Sequence, residues 1–205
     1  AKKNGIKPVR HRVFLTGLLF EGAKMLVKEN SVVVVIDIQD VLMPKSEEVA
    51  RAYIAQAAKL IRVARALDIP VVVTEQNPER LGGTHATIRD ALGEVPALPK
   101  LEFGCMANPG FREALARTGR KQMLLIGMET HVCVMQTALE AMASGYEVFL
   151  VRDAVVSARK PDYKAGIHRM IQEGVTCVCC EMVIFEWLRK AGTPEFRQVL
   201  PLIKS

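Results

Sequence analysis

Cys133 is the residue whose neighbours best suit it to act as a nucleophile. Residues 123–126 form a short apolar run bounded by charge and by Gly127, which predicts a buried strand. From Val134 to Ala143 apolar and small residues recur at helical spacing, and Gly145 is placed as the stop. The chain must turn sharply between the two, and Cys133 falls at or near the helix start. Unpaired backbone N–H groups and the positive end of a helix dipole favour thiolate over thiol at such a position. A free cysteine is otherwise most often a small buried hydrophobe. What the rest of the chain brings to Cys133 therefore decides its role.

A thiolate can attack a carbonyl or an electron-poor C–N carbon if it has a base, a cation and donors for the oxyanion. Asp37 ends the apolar run Val32–Ile36 and is the best base, because partial desolvation there would raise its basicity. Lys100 follows Pro99 and reaches the same rim if that turn leads inward. Taken alone, each residue has an ordinary reading, Asp37 as a cap and Lys100 as a solvated surface charge. His131 precedes Cys133 by two residues, a spacing that does not face across a helix, so a Cys–His dyad is not expected.

The elements that must position these residues alternate between strand and helix. Apolar residues from Val49 to Leu67 fall on one helical face, and Val71–Thr74 predicts a second buried strand. A polar loop rich in Gly and Pro spans residues 75–83, and residues 84–99 read as short and irregular. Residues 111–118 predict a helix, 148–151 a strand, 162–173 a helix, 175–178 a strand and 181–190 a closing helix. The fold class is α/β, a doubly wound parallel sheet between helical layers, so a three-layer α/β/α sandwich. Ligands in such folds lie at the carboxyl ends of the strands. Asp37, the Glu75 loop, the Cys133 turn and Asp153 would share that rim.

Composition narrows the function. A chain of 205 residues, half hydrophobic and a quarter charged, suits one globular domain. The net charge of +6 comes mostly from residues 1–30, with seven Lys/Arg against two Asp/Glu, whereas residues 31–205 carry 21 against 20. Nucleic-acid binding is therefore not expected. Five cysteines, an odd number, imply free thiols in a reducing, cytoplasmic setting. Cys177, Cys179 and Cys180 lack zinc-site spacing. No apolar run reaches the roughly 18–20 residues that span a membrane, and no Gly-x-Gly-x-x-Gly follows a strand. Residues 1–24 read as an N-terminal extension and residues 25–205 as the domain.

The set of motifs resembles the isochorismatase-like cysteine hydrolases. It comprises an apolar strand into Asp37-x-Gln39, Lys100 with an aromatic at Phe103, and Gly127-x-x-Thr130-x-x-Cys133-Val134. The resemblance runs from about Met25 to the C-terminus. It implies an Asp37–Lys100–Cys133 triad, with Asp37 as base, Cys133 as nucleophile and Lys100 as electrostatic partner. It also implies a cis peptide at Met128–Glu129 that aims the N–H groups of Glu129 and Cys133 at the oxyanion. Gln39, Gln76 and Phe103 become candidate substrate-pocket residues. Nicotinamidases of the family bind a metal through Asp-x-His and further histidines, but here Thr74–Gly83 has no histidine, so neither a metal nor any other cofactor is expected. True isochorismatases replace the cysteine, which turns the expectation from vinyl-ether hydrolysis to a thioester mechanism. The expected function is hydrolysis of a C–N bond in a small amide or carbamoyl substrate. The alternative is a non-hydrolytic ligand-binding or scaffold member of the same fold. A homo-oligomer is expected, with the segment around Phe185 and Trp187 contributing to its interface.

Overall fold

A computed structural model of the chain describes residues 25–204; within residues 1–24 it describes only the antiparallel pairing of Phe14–Leu15 with Leu18–Leu19. The expected extension otherwise lies outside the described residues. The main sheet has six strands: β1 (Ser31–Ile36), β2 (Val71–Gln76), β3 (Ala97–Lys100), β4 (Gln122–Gly127), β5 (Glu147–Val155) and β6 (Thr176–Val178). All pairs are parallel and the order across the sheet is β3-β2-β1-β4-β5-β6. The chain winds outward from β1 in one direction and then, from β4, in the other.

Every residue of β1 is buried, because its side chains feed both helical layers. Val33 and Val35 point to one apolar layer, and Val32, Val34 and Ile36 to the other. The first layer is covered mainly by α1 (Glu47–Ala66), α3 (Ala86–Leu92) and α7 (Cys180–Leu188), the second by α4 (Pro109–Thr118), α5 (Met135–Ala143) and α6 (Lys160–Gln172). A single turn, α2 (Pro78–Leu81), lies in the loop after β2. Helix α1 begins at a Ser46 cap with Glu47 and Glu48 in its first turn, where both favour the helix dipole.

Three features differ from the sequence expectations. Ala97–Lys100 is a strand, not part of an irregular segment; Pro99 has no N–H to donate, and only an edge strand tolerates that. A last helix, α8 (Pro194–Lys204), was not predicted, although Val199 is fully buried on it. Trp187 is 3% exposed and its indole N–H donates to Ser31 Oγ at 2.9 Å, so it belongs to the core and not to an interface.

Gly127 ends β4 opposite Ile36 with φ +127°, and a Cβ added there would overlap the Ile36 carbonyl. Neither the conformation nor the space admits a side chain. Gly127→Ala is expected to lower unfolding free energy by about 3 kcal/mol or more, read from the urea midpoint. A loss under about 1 kcal/mol would show that β1 and β4 separate readily at their carboxyl ends.

Candidate active site

The two winding directions part between β1 and β4, which leaves a crevice at the carboxyl ends of those strands. Asp37 leaves β1 on one side of it and Cys133 follows β4 on the other. Asp37 adopts φ +51°, a left-handed conformation that aspartate tolerates better than most residues. Its carboxylate is fully buried. Thr74 Oγ1, from neighbouring β2, donates to Asp37 Oδ1 at 2.7 Å. Lys100 Nζ, from β3, lies 2.7 Å from Asp37 Oδ2, and both side chains are essentially inaccessible.

Lys100 is held from several sides. Its ammonium donates to Gln76 Oε1 at 2.5 Å, to the Glu102 carbonyl at 3.0 Å and to the Phe103 carbonyl at 3.3 Å. With Asp37 Oδ2, four oxygens surround a group that has three N–H donors. Asp37 Oδ2 is thus neutralised by the Lys100 ammonium at 2.7 Å, and a carboxylate oxygen so paired keeps a lone pair for another proton donor. Burial is the largest single influence on the Lys100 ammonium and depresses it, but the Asp37 charge and hydrogen bond, Cys105 and Cys133 together outweigh it, and the net direction is upward.

Cys133 sits in a wide, π-type turn, Thr130–Val134, directly before α5. It is 6% exposed, and its Sγ lies 4.0 Å from Gln76 Oε1. Burial above all, and then the Asp37 charge, push the thiol up to about 12, with Lys100 pulling the other way. This is the reverse of the direction that a helix start alone predicts. At rest the nucleophile candidate is a neutral thiol beside a carboxylate. Met128–Glu129 is a cis peptide. Among the described residues the Glu129 N–H has no hydrogen-bond partner, and the Val132 and Val134 N–H groups on either side of Cys133 both donate to Glu129 O.

The other sequence candidates separate. Gln76 stands inside the site, between Lys100 and Cys133. Gln39 is turned to the backbone: its amide nitrogen donates to the carbonyls of Gln76 (3.0 Å) and Gly82 (2.6 Å), and its oxygen accepts the Gln76 N–H (2.8 Å). It braces the ends of β1 and β2. Phe103 contributes its carbonyl to Lys100, while its ring is exposed at the rim near Leu101. Asp153 lies within β5 and caps the Cys180 N–H at 2.9 Å. His131 turns to Ser157 Oγ at 3.0 Å.

Three further residues belong to the site through contacts that the sequence does not show. Thr74 orients the base. Cys105 is fully buried with its Sγ 3.8 Å from Thr74 Oγ1, and burial first, then Asp37, push its thiol to about 11. Thr137 accepts the Cys105 N–H at 2.9 Å and donates to the Cys133 carbonyl at 2.7 Å, tying the two thiol-bearing segments together. No group of three or more His, Cys, Asp or Glu side chains is placed to hold a metal among the described residues. The first imidazole after β2, His85, accepts the Thr87 N–H and faces Asp40. These donors do not form a metal site.

The family model of the Isochorismatase domain matches residues 31–182. The chain belongs to the isochorismatase family. It is 34% identical over 184 residues to the secreted isochorismatase effector Isc1 of Phytophthora sojae (strain P6497), covering 88% of this chain and 87% of that one. It is 31% identical over 193 residues to isochorismatase domain-containing protein 2A of Mus musculus, covering 88% and 85%. The solved structure of the MAR1 ribonuclease of Caenorhabditis elegans superposes with a TM-score of 0.80 at 30% identity, covering 89% of this chain and 93% of that one. The family is one of hydrolases, and the α/β fold with its parallel sheet is shared.

Two predictions follow from this geometry. Asp37→Asn removes a negative charge that raises the Cys133 thiol and leaves the opposing Lys100 charge in place, so the thiol's pKa falls. Each unit is tenfold in thiolate at neutral pH. Iodoacetamide should therefore label Cys133 faster in the variant at pH 7.5, about tenfold for each unit of that fall, by mass mapping; slower labelling would mean that Asp37 takes the thiol proton before or during alkylation. Thr74→Val leaves Asp37 Oδ1 buried without its donor and should cost about 1–3 kcal/mol in urea unfolding, whereas Thr74→Ser should stay near wild type.

Proposed function

We propose that the protein is a metal-independent cysteine hydrolase that cleaves a C–N bond in a small amide or carbamoyl compound through a covalent Cys133 intermediate. The observation that carries this is the buried cluster of Asp37, Lys100 and Cys133 at the switch point, with Lys100 Nζ 2.7 Å from Asp37 Oδ2. Because the thiol is neutral at rest, its proton passes to Asp37 as sulfur attacks the carbonyl carbon. The S–C bond forms while the carbonyl becomes an oxyanion, which the Glu129 and Cys133 N–H groups receive. Lys100 stays protonated throughout and offsets the negative charge that Asp37 carries before the transfer and that the sulfur gains as its proton leaves.

Collapse of the tetrahedral adduct breaks the C–N bond, and Asp37 returns its proton to the leaving nitrogen. A water then gives a proton to Asp37 as it attacks the thioester; the C–S bond breaks, the acid leaves, and Asp37 returns the proton to Cys133 Sγ, which restores the thiol. Gln76 orients both Lys100 and Cys133, and the Phe103 ring and Leu101 form the apolar lip of the entrance. No cofactor is needed for these steps.

Two names among the relatives supply competing substrates. Isc1 is called an isochorismatase, which implies vinyl-ether cleavage, and the nematode neighbour is called a ribonuclease. Cys133 supports neither, since vinyl-ether hydrolysis needs no thiol adduct and the 31–205 segment is nearly neutral. A non-hydrolytic binding role would keep the cluster without turnover. We further propose that the chain works as a homo-oligomer, supported by the half-exposed Met182 and Phe185 on α7, and in a reducing compartment, supported by five free thiols. No helix among the described residues is long and apolar enough to cross a membrane.

The test is a panel of small amides, carbamoyl compounds, isochorismate and a labelled RNA, offered to wild type and Cys133→Ala. Release of amine from one amide class, lost by on the order of 10⁴-fold in the variant and accompanied by an acyl adduct on Cys133 by mass spectrometry, is the expected result. Turnover of isochorismate or RNA that survives Cys133→Ala would sink the thioester reading, and absence of any turnover would favour the binding role.

A further inference from the structure

A large cavity lies apart from the catalytic cluster, and none of its lining residues belongs to that cluster. It is a cleft of about 1020 Å³ between the first turns of α1, the carboxyl end of β5 and the first turns of α6. Its floor is apolar, with Val49, Ala52, Tyr53, Val155 and Val156 among its lining residues. Its rim is cationic: Lys45, Arg152, Arg159, Lys160 and Lys164 line it, all exposed. The single acid in the lining, Asp153, is already engaged with the Cys180 N–H. Arg159 makes an ion pair with Asp162 at 3.4 Å, which leaves four cations without an acidic partner in the cleft. Arg159 precedes helix α6 without giving it a side-chain cap, so the helix dipole adds positive potential at the same mouth.

We propose that this cleft is a binding site for a small amphipathic anion, an apolar body with a carboxylate, sulfonate or phosphate head. The volume is at the upper end of the range for small-molecule sites. The apolar floor would hold the body, and the head would sit among Lys160, Lys164 and the α6 N-terminus. An isolated apolar patch would not need a cationic rim, and an isolated cationic patch would not need an apolar floor. The site is separate from the Cys133 cluster, so it stands or falls independently of the proposed hydrolysis. The two are nevertheless neighbours: Val156 O accepts the Thr130 N–H at 3.0 Å, and the Ala158 N–H donates to Glu129 Oε1 at 2.7 Å. An occupant of the cleft would rest against the segment that holds the nucleophile turn.

The experiment compares two fluorescent probes with one aromatic body, the anionic 8-anilinonaphthalene-1-sulfonate and the neutral N-phenyl-1-naphthylamine, titrated into the full chain and into Lys160→Glu/Lys164→Glu. Both substitutions are on the exposed first turns of α6 and leave the core intact, which circular dichroism checks. Saturable binding of the anionic probe, weakened at least tenfold by the double substitution while neutral-probe binding changes less than twofold, is the expected result. Ala52→Glu, which introduces a charge on the floor, should weaken both probes. Equal affinity of the two probes in wild type, or no response to the charge reversal, would overturn the proposal in favour of a plain apolar patch. Displacement of the anionic probe by a short RNA but not by decanoate would overturn it in favour of a nucleic-acid surface. Loss of probe binding as the protein self-associates would assign the cleft to a second copy.

Discussion

A lysine and an aspartate, both shut away from water and 2.7 Å apart, set the terms for the site. Burying two such charges is costly, and losing one partner of a buried pair typically costs about 3–5 kcal/mol. The pair persists because the sheet surrounds it with donors and acceptors in the right order. Lys100 ends β3, Thr74 and Gln76 stand on β2, Asp37 leaves β1, and Cys133 follows β4. Read across the sheet, that is the spatial order of the chemistry. Lysine reaches over β2, finds Gln76 on the way, and meets an aspartate whose other oxygen is occupied by Thr74.

The same pair explains why the thiol is not activated in the simple manner of a helix-start cysteine. A helix terminus contributes about 0.3–1 kcal/mol to a nearby charge, less than one tenfold step in an ionisation equilibrium. Against this stand the burial of Cys133 and the adjacent carboxylate, which together raise the thiol from 9.0 to about 12. The larger effect wins. A neutral thiol with a carboxylate acceptor is suited to attack coupled to proton transfer, which avoids a free thiolate in the buried site.

Much of this was legible in the sequence, and for identifiable reasons. A strand buried on both faces must be apolar throughout, so Val32–Ile36 and Val71–Thr74 announced themselves. Asp37, Lys100 and Cys133 could be named because each follows such a signal or falls within a motif, and the structure draws them together. The three backbone bonds of Gln39 were not legible, because a polar residue at a strand end reads alike whether it faces a ligand or backbone groups. Thr74, Cys105 and Thr137 were silent because their roles come from hydrogen bonds across the sheet and between loops, at sequence separations of 37, 31 and 32 residues. β3 was missed because Pro96 and Pro99 argue against regular structure everywhere except at an edge, and its place at the edge is a fact of topology. Trp187 was misplaced because its indole partner, Ser31, is 156 residues away.

One irregularity in the sheet links the buried cluster to the open cleft. From Leu125 to Gly127, β4 advances two residues, whereas its neighbour β5 advances from Leu150 to Val155 over the same stretch. The surplus in β5 cannot lie flat against β4, so the strand bulges and carries its end beyond the sheet. That excursion brings Val156 against the Thr130 N–H and sets Ala158 against the Glu129 carboxylate, which buttresses the turn that carries Cys133. It also raises Val155 and Val156 into the floor of the cleft and delivers Arg159 and Lys160 to its rim. A regular β5 would provide neither the buttress nor the floor. The buttress of the closed catalytic cluster and the floor of the open cationic cleft are thus two consequences of one register shift.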